Sequence, residues 1–118
     1  MKKVYYLSTC STCIRIIKEL GIHKTFELQD IKTNKITPEQ LDEMKEMAGS
    51  YEALFSRRAM KFRQMELHEQ DLTESDFREL LLKEYTLLKR PVIIYNDEIF
   101  VGNSRKNIAT MKQLLFFE

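Results

Sequence analysis

At 118 residues, with 43% hydrophobic and 31% charged side chains, the chain has the size and balance of a globule with one hydrophobic core, and its composition excludes disorder. Nineteen basic against eighteen acidic residues leave a net charge of +1, which supplies no overall footprint for direct nucleic-acid binding. No apolar run approaches the roughly 20 residues of a membrane span, and the opening Met1–Leu7 stretch, stopped by polar Ser8 and Thr9, is too short for a secretory signal.

Val4 to Leu7 predicts a short buried strand, and the small polar residues Ser8 to Thr12 predict a tight loop and helix cap. A helix follows from Cys13, with Ile14, Ile17 and Leu20 on one face and Gly21 at its stop. Phe26 and Leu28 alternate as a second, weaker strand, with Ile31 at its far end. Thr37-Pro38-Glu39-Gln40 is a helix start: Thr37 can cap, Pro38 presets φ, and Gln40 completes a capping box. Leu41, Met44 and Met47 make its stripe and Gly49 ends it. Residues 51–55 and 57–65 predict short helical pieces. Thr73-Glu74-Ser75-Asp76 opens another helix, with Phe77, Leu80, Leu81 and Tyr85 inward. Pro91–Tyr95, Asn96-Asp97 and Glu98–Val101 form the clearest hairpin, two β-rich runs around a turn of residues that tolerate positive φ. Ser104 then caps a last helix with Ile108, Met111, Leu114 and Leu115 inward.

The order is β-α-β, a helical block, then β-β-α. A right-handed β-α-β half followed by a hairpin and closing helix is the thioredoxin arrangement, an α/β fold with a mixed four-stranded sheet. The expected organisation is one domain over 1–118 with a helical insertion at about 37–86.

Cys10-Ser11-Thr12-Cys13 is a C-x-x-C at the junction of the first strand and helix. Backbone N–H groups at a helix start carry partial positive charge and stabilise a thiolate over a thiol. Cys10, in the loop, gains most and reads as the nucleophile. Cys13, one turn on, can attack a mixed disulfide at Cys10 and reads as the resolving thiol. In the expected cytoplasmic setting a permanent structural disulfide is disfavoured. The alternatives are two buried small hydrophobes, or zinc. Structural zinc wants four ligands, and the other candidates, His23 and His68, lack paired spacing and read as surface residues. No metal or bound cofactor is expected.

Three segments resemble one family. Tyr6-Leu7-Ser8-Thr9-Cys10-Ser11-Thr12-Cys13 is similar to the N-terminal signature of the ArsC-like proteins, which include glutaredoxin-dependent arsenate reductases and the redox regulator Spx. Tyr51 to Arg58 with Phe62-Arg63 resembles the family's Y-E-x-L-L-N-T-R … W-R stretch, and Leu88 to Ile94 its I-K-R-P-I-I-V stretch. The resemblance implies a thioredoxin-like core with a helical insertion, one catalytic cysteine, and arginines around a bound oxyanion. Cys10 takes the cysteine position and Arg90 the arginine of the R-P motif. Arg58, or Arg57 if the register slips by one, takes the arginine after the middle helix. Arg57, Arg63, Ser11 and Thr12 complete the implied anion site, where guanidinium forks suit a tetrahedral oxyanion and also favour the Cys10 thiolate. The competing reading of Arg57, Arg58 and Arg63 is a solvated helix face. In such folds the proline beside the reactive sulfur is usually cis, so a cis Arg90-Pro91 bond is expected. Two features depart from the reductases. Gly102 stands where they place another arginine, with Arg105 close by at the start of the last helix. The second cysteine is nearer the Spx pattern.

The resemblance implies first an enzyme: Cys10 attacks an oxyanion or oxidised thiol, and the adduct is resolved by Cys13, glutathione or glutaredoxin as electron donor. It implies as an alternative an Spx-like switch in which Cys10–Cys13 is a disulfide and the partner is an RNA polymerase subunit. Gly49 matches a contact glycine of that branch but also reads as a helix cap, and the ending at Phe116-Phe117-Glu118 lacks that branch's basic tail. A glutaredoxin-like carrier is a third possibility. A monomer is expected.

Overall fold

The computed structural model describes residues 1–116; the chain end noted above, at Phe117 and Glu118, lies outside them. The chain divides into two compact units, one formed by Met1–Asn34 with the chain from Arg90 onward, the other by Lys35–Lys89.

The first unit holds all four strands: β1 (Lys2–Tyr6), β2 (Glu27–Asp30), β3 (Val92–Tyr95) and β4 (Glu98–Val101), with helices α1 (Ser11–Leu20) and α5 (Arg105–Phe116). The sheet order is β2-β1-β3-β4, with β1 parallel to β2 and antiparallel to β3. This is the thioredoxin-like arrangement expected from the element order. β1 is central and hydrogen-bonded on both edges, pairing Val4 with Leu28 on one side and Ile93 on the other. Val4, Ile16, Ile17, Ile22, Phe26, Ile93, Phe100 and Met111 form one buried cluster, and α1 packs against α5.

Helix α1 begins two residues before the expected Cys13, because Cys10 is its N-cap residue, extended at φ −97°. The buried stripe shifts accordingly to Cys13, Ile16 and Ile17, with Ile14 and Leu20 half-buried. Gly21 ends it in the left-handed region as expected, its N–H reaching the carbonyls of Ile17 and Lys18. In the hairpin Asn96 takes φ 55°. Ser104 caps α5 through its hydroxyl, which accepts from the Asn107 N–H at 3.1 Å.

The second unit holds α2 (Pro38–Ala48), α3 (Met60–Gln64) and α4 (Glu74–Lys83), with short 3-10 turns at Glu52–Leu54, Leu67–Glu69 and Tyr85–Leu87. Thr37 and Gln40 make the expected capping box, and Gly49 is the α2 C-cap at φ 100°, donating to the Lys45 carbonyl. Thr73 and Asp76 make a second box on α4. Met47 is half-buried, a weaker part of its stripe than Leu41 and Met44. α4 stops at Lys83, so Tyr85 falls in the following 3-10 turn and is half-buried rather than part of the helix face. Phe55 packs against both Phe62 and Phe77. Among the described residues no helix is long and apolar enough to cross a membrane.

Candidate functional site

The β1–α1 connection is a tight turn. The Cys10 N–H donates to the Leu7 carbonyl at 3.0 Å, and the Cys10 carbonyl accepts the first helical bond, from Ile14, at 3.2 Å. Both cysteines are free. Cys10 is half-buried and Cys13 fully buried.

Their environments drive the two sulfurs apart. Partial burial opposes ionisation of Cys10. The Cys13 N–H, the Cys13 side chain, the charge of Arg90 and the Thr12 N–H together outweigh it and hold the Cys10 pKa below the ordinary thiol value. Cys13 is pushed up to about 12, first by burial, then by its side-chain hydrogen bond to Cys10 and the charge there. The Leu7 N–H and Arg90 only partly offset this. The same few residues thus shift one sulfur toward the thiolate and the other toward the thiol.

Arg90 is half-buried, and its peptide bond to Pro91 is cis, as expected. Pro91 is buried, and its carbonyl accepts the Gly102 N–H at 2.9 Å. Gly102 sits at φ 88°, a conformation that side-chain-bearing residues adopt only under strain. An arginine there would meet open space but a costly backbone. Arg105, the other candidate for that place, is the exposed first residue of α5. Ser11 is exposed and Thr12 half-buried in the first turn of α1.

The structure thus brings Cys10, Cys13, Thr12 and Arg90 together in one unit. Arg57, Arg58 and Arg63 belong to the other unit and are all exposed. Arg57 is engaged, with an ion pair to Glu52 at 2.7 Å and its guanidinium over the rings of Phe62 and Phe77. His23 and His68 are exposed as expected, and among the described residues no three His, Cys, Asp or Glu side chains gather to hold a metal.

Two features escaped sequence reasoning. Asp30, at the end of β2, accepts the Ser8 hydroxyl at 2.5 Å. Asp42 takes a two-point contact from Arg78 at 2.9 and 3.1 Å and the Tyr51 hydroxyl at 2.6 Å. The Arg78 bonds, then the Tyr51 bond, hold Asp42 at about 2. The partners lie 22 and 36 positions apart, beyond any local pattern.

Residues 5–111 match the model described as the ArsC family. Among solved structures, the YffB protein is 26% identical, with 94% of this chain and 98% of that one covered and a TM-score of 0.80. An arsenate reductase (ArsC) related protein from Brucella melitensis is 23% identical over 92% of each chain, TM-score 0.71. An arsenate reductase from Vibrio cholerae is 14% identical over 93% and 98%, TM-score 0.76. The two below 25% share the fold. No curated protein matches the chain by sequence.

Proposed function

We propose that this chain, which belongs to the ArsC family, is a thiol-dependent oxidoreductase of the arsenate-reductase type, with Cys10 as nucleophile. The observation that carries the reading is the pair of free sulfurs at one helix start: half-buried Cys10 at the N-cap of α1, facing Arg90 and the first-turn N–H groups, and fully buried Cys13 one turn behind it. The Cys10 thiolate attacks the arsenic of arsenate, or the sulfur of an oxidised thiol. With arsenate, a Cys10 S–As(V) bond forms as an As–O bond breaks, and the departing hydroxyl takes a proton from solvent to leave as water. A second thiolate then attacks the Cys10 sulfur. An S–S bond forms, the S–As electron pair departs with arsenic, and arsenite leaves, reduced by two electrons as two thiols are oxidised. Arg90 binds the anion's oxygens and favours the attacking thiolate.

The second thiolate comes from Cys13, glutathione or glutaredoxin. Once Cys10 carries the adduct the charge leaves its sulfur for the arsenate oxygens, which Arg90 binds, and one of the influences holding Cys13 protonated is weakened. Cys13 thus becomes a better nucleophile after the first step than before it. Arg58, Arg57 and Arg63 as anion ligands stay what the family resemblance alone implies, and Arg57 already pairs with Glu52. The expected compartment is the cytoplasm, where glutathione is available. Reduced protein with arsenate, glutathione and glutaredoxin should consume NADPH through glutathione reductase. Absence of Cys10-dependent consumption would remove arsenate as substrate.

A second reading, a disulfide switch acting on RNA polymerase, is favoured by one observation: the Cys10 and Cys13 side chains lie within hydrogen-bonding reach. Its test is capture of a polymerase subunit by the oxidised but not the reduced protein; no capture in either state rejects it. Gly49 carries no weight for it, since its positive φ is accounted for as the α2 cap.

A further inference from the structure

We propose that Asp30 is a positioning residue, which through Ser8 clamps the Leu7–Cys10 turn and so sets how the two sulfurs meet. The inference rests on the thiolate reading of Cys10 and adds a residue to it.

The turn reaches Cys10 through its backbone and Cys13 through its sulfur. Its Leu7 carbonyl receives the Cys10 N–H, and the Leu7 N–H points to the Cys13 sulfur. Leu7 is buried, which fixes one end, but Ser8 and Thr9 are exposed and have no core to hold them. Asp30 supplies the missing restraint. One carboxylate oxygen accepts the Ser8 hydroxyl at 2.5 Å and the other accepts the Lys32 N–H at 3.2 Å. The Ser8 N–H also faces the carboxylate.

Asp30 is itself well anchored. It pairs with Tyr6 across the parallel strands, the Ile31 N–H reaches the Tyr6 carbonyl at 2.9 Å, and the Asp30 carbonyl accepts from Asn34 at 2.8 Å. The Ser8 hydroxyl first, then the N–H groups of Lys32 and Ser8 and the charge of Lys32, hold Asp30 ionised against slight burial. An ionised carboxylate makes shorter, stronger hydrogen bonds than a neutral acceptor. The groups facing Cys10 itself are Cys13, Thr12 and Arg90. Asp30 therefore acts on Cys10 through the turn.

The test is the pH profile of Cys10 alkylation by iodoacetamide, read by intact mass on the full chain. Ser8→Ala removes the clamp and leaves the carboxylate; Ser8→Thr keeps the hydroxyl; Asp30→Asn weakens the acceptor. The clamp predicts that Ser8→Ala and Asp30→Asn both move the midpoint up, slowing alkylation near neutral pH by about threefold or more through a smaller thiolate fraction. It predicts that Ser8→Thr restores the wild-type profile. A carboxylate acting only by its charge would instead lower the midpoint in Asp30→Asn, and that result overturns the proposal. So does a Ser8→Ala profile equal to wild type, or a Ser8→Thr profile equal to Ser8→Ala. An ordinary thiol midpoint in the wild type overturns the thiolate reading and the clamp together. A depressed wild-type midpoint unchanged in Ser8→Ala overturns the clamp alone.

Discussion

Helices α2 and α4 open on threonines whose hydroxyls accept the N3 backbone N–H, while the N3 side chains, Gln40 and Asp76, accept the threonine N–H in return. Helix α1 opens on Cys10, whose sulfur faces the Cys13 and Thr12 N–H groups without the formed cap bond that the threonine oxygens make. The difference is one of chemistry rather than geometry, since all three N-cap residues are extended. Two helix starts are closed by oxygen, which is always an acceptor. The third is left to a sulfur that becomes a strong acceptor only on ionising. Its first-turn N–H groups stay available to favour the thiolate.

Exchanging the caps should break this contrast most clearly. Cys10→Ser is expected to abolish turnover, by at least about 10³-fold, as loss of a nucleophile does. It should also stabilise the protein by about 0.5–1 kcal/mol in urea, because serine is a better N-cap. A variant equally inactive but less stable would show that Cys10 is not acting as an unfilled cap.

Arg90→Gln should follow in size. Loss of the charge beside the sulfur is expected to raise the Cys10 alkylation midpoint and slow anion turnover by about 10²-fold, the scale of losing one aimed donor. An unchanged midpoint would take Arg90 out of the thiolate's support.

At the other end of the comparison, Thr73→Ala should cost about 1 kcal/mol of stability, the usual value of an oxygen cap. Cys10 reactivity should be untouched, which alkylation of the folded variant checks.

The smallest expected effect is acid dependence. Asp42 has a depressed pKa, so its stabilising contribution is complete above the ordinary carboxylate value and is lost as pH falls toward about 2. Arg78→Ala should flatten that part of the stability–pH curve. Cys13 has the opposite sign. Its raised pKa gives stability that is present below the ordinary thiol value and fades as pH rises toward about 12.

Much of this was legible locally. Cys10-Ser11-Thr12-Cys13, Thr37 with Gln40, Asn96 in its turn and Ser104 before α5 are all decided within a few residues, and the structure keeps each. The start of α1 was misplaced because Ser11 and Thr12 read as loop, whereas backbone N–H groups facing a sulfur need them inside the helix. The buried charge of Lys3 was equally hidden: it pairs with Glu27 across β1 and β2 and lies over the Tyr5 ring. Asp30 with Ser8 and Asp42 with Arg78 join segments that only the folded chain brings together. Local periodicity carries no trace of such pairs.

The central place of β1 has a consequence for the order in which the protein comes into being on the ribosome. Its parallel neighbour β2 emerges soon after it, but its antiparallel partner β3 is translated only some ninety residues later. The helical stretch Lys35–Lys89 is contiguous and free to organise earlier, since short-range contacts close fastest. The nascent chain therefore carries Cys10 without Arg90 for most of its synthesis. The Cys13 and Thr12 N–H groups arrive with α1 itself, so only the guanidinium's share of the support for a Cys10 thiolate waits for the end of the chain.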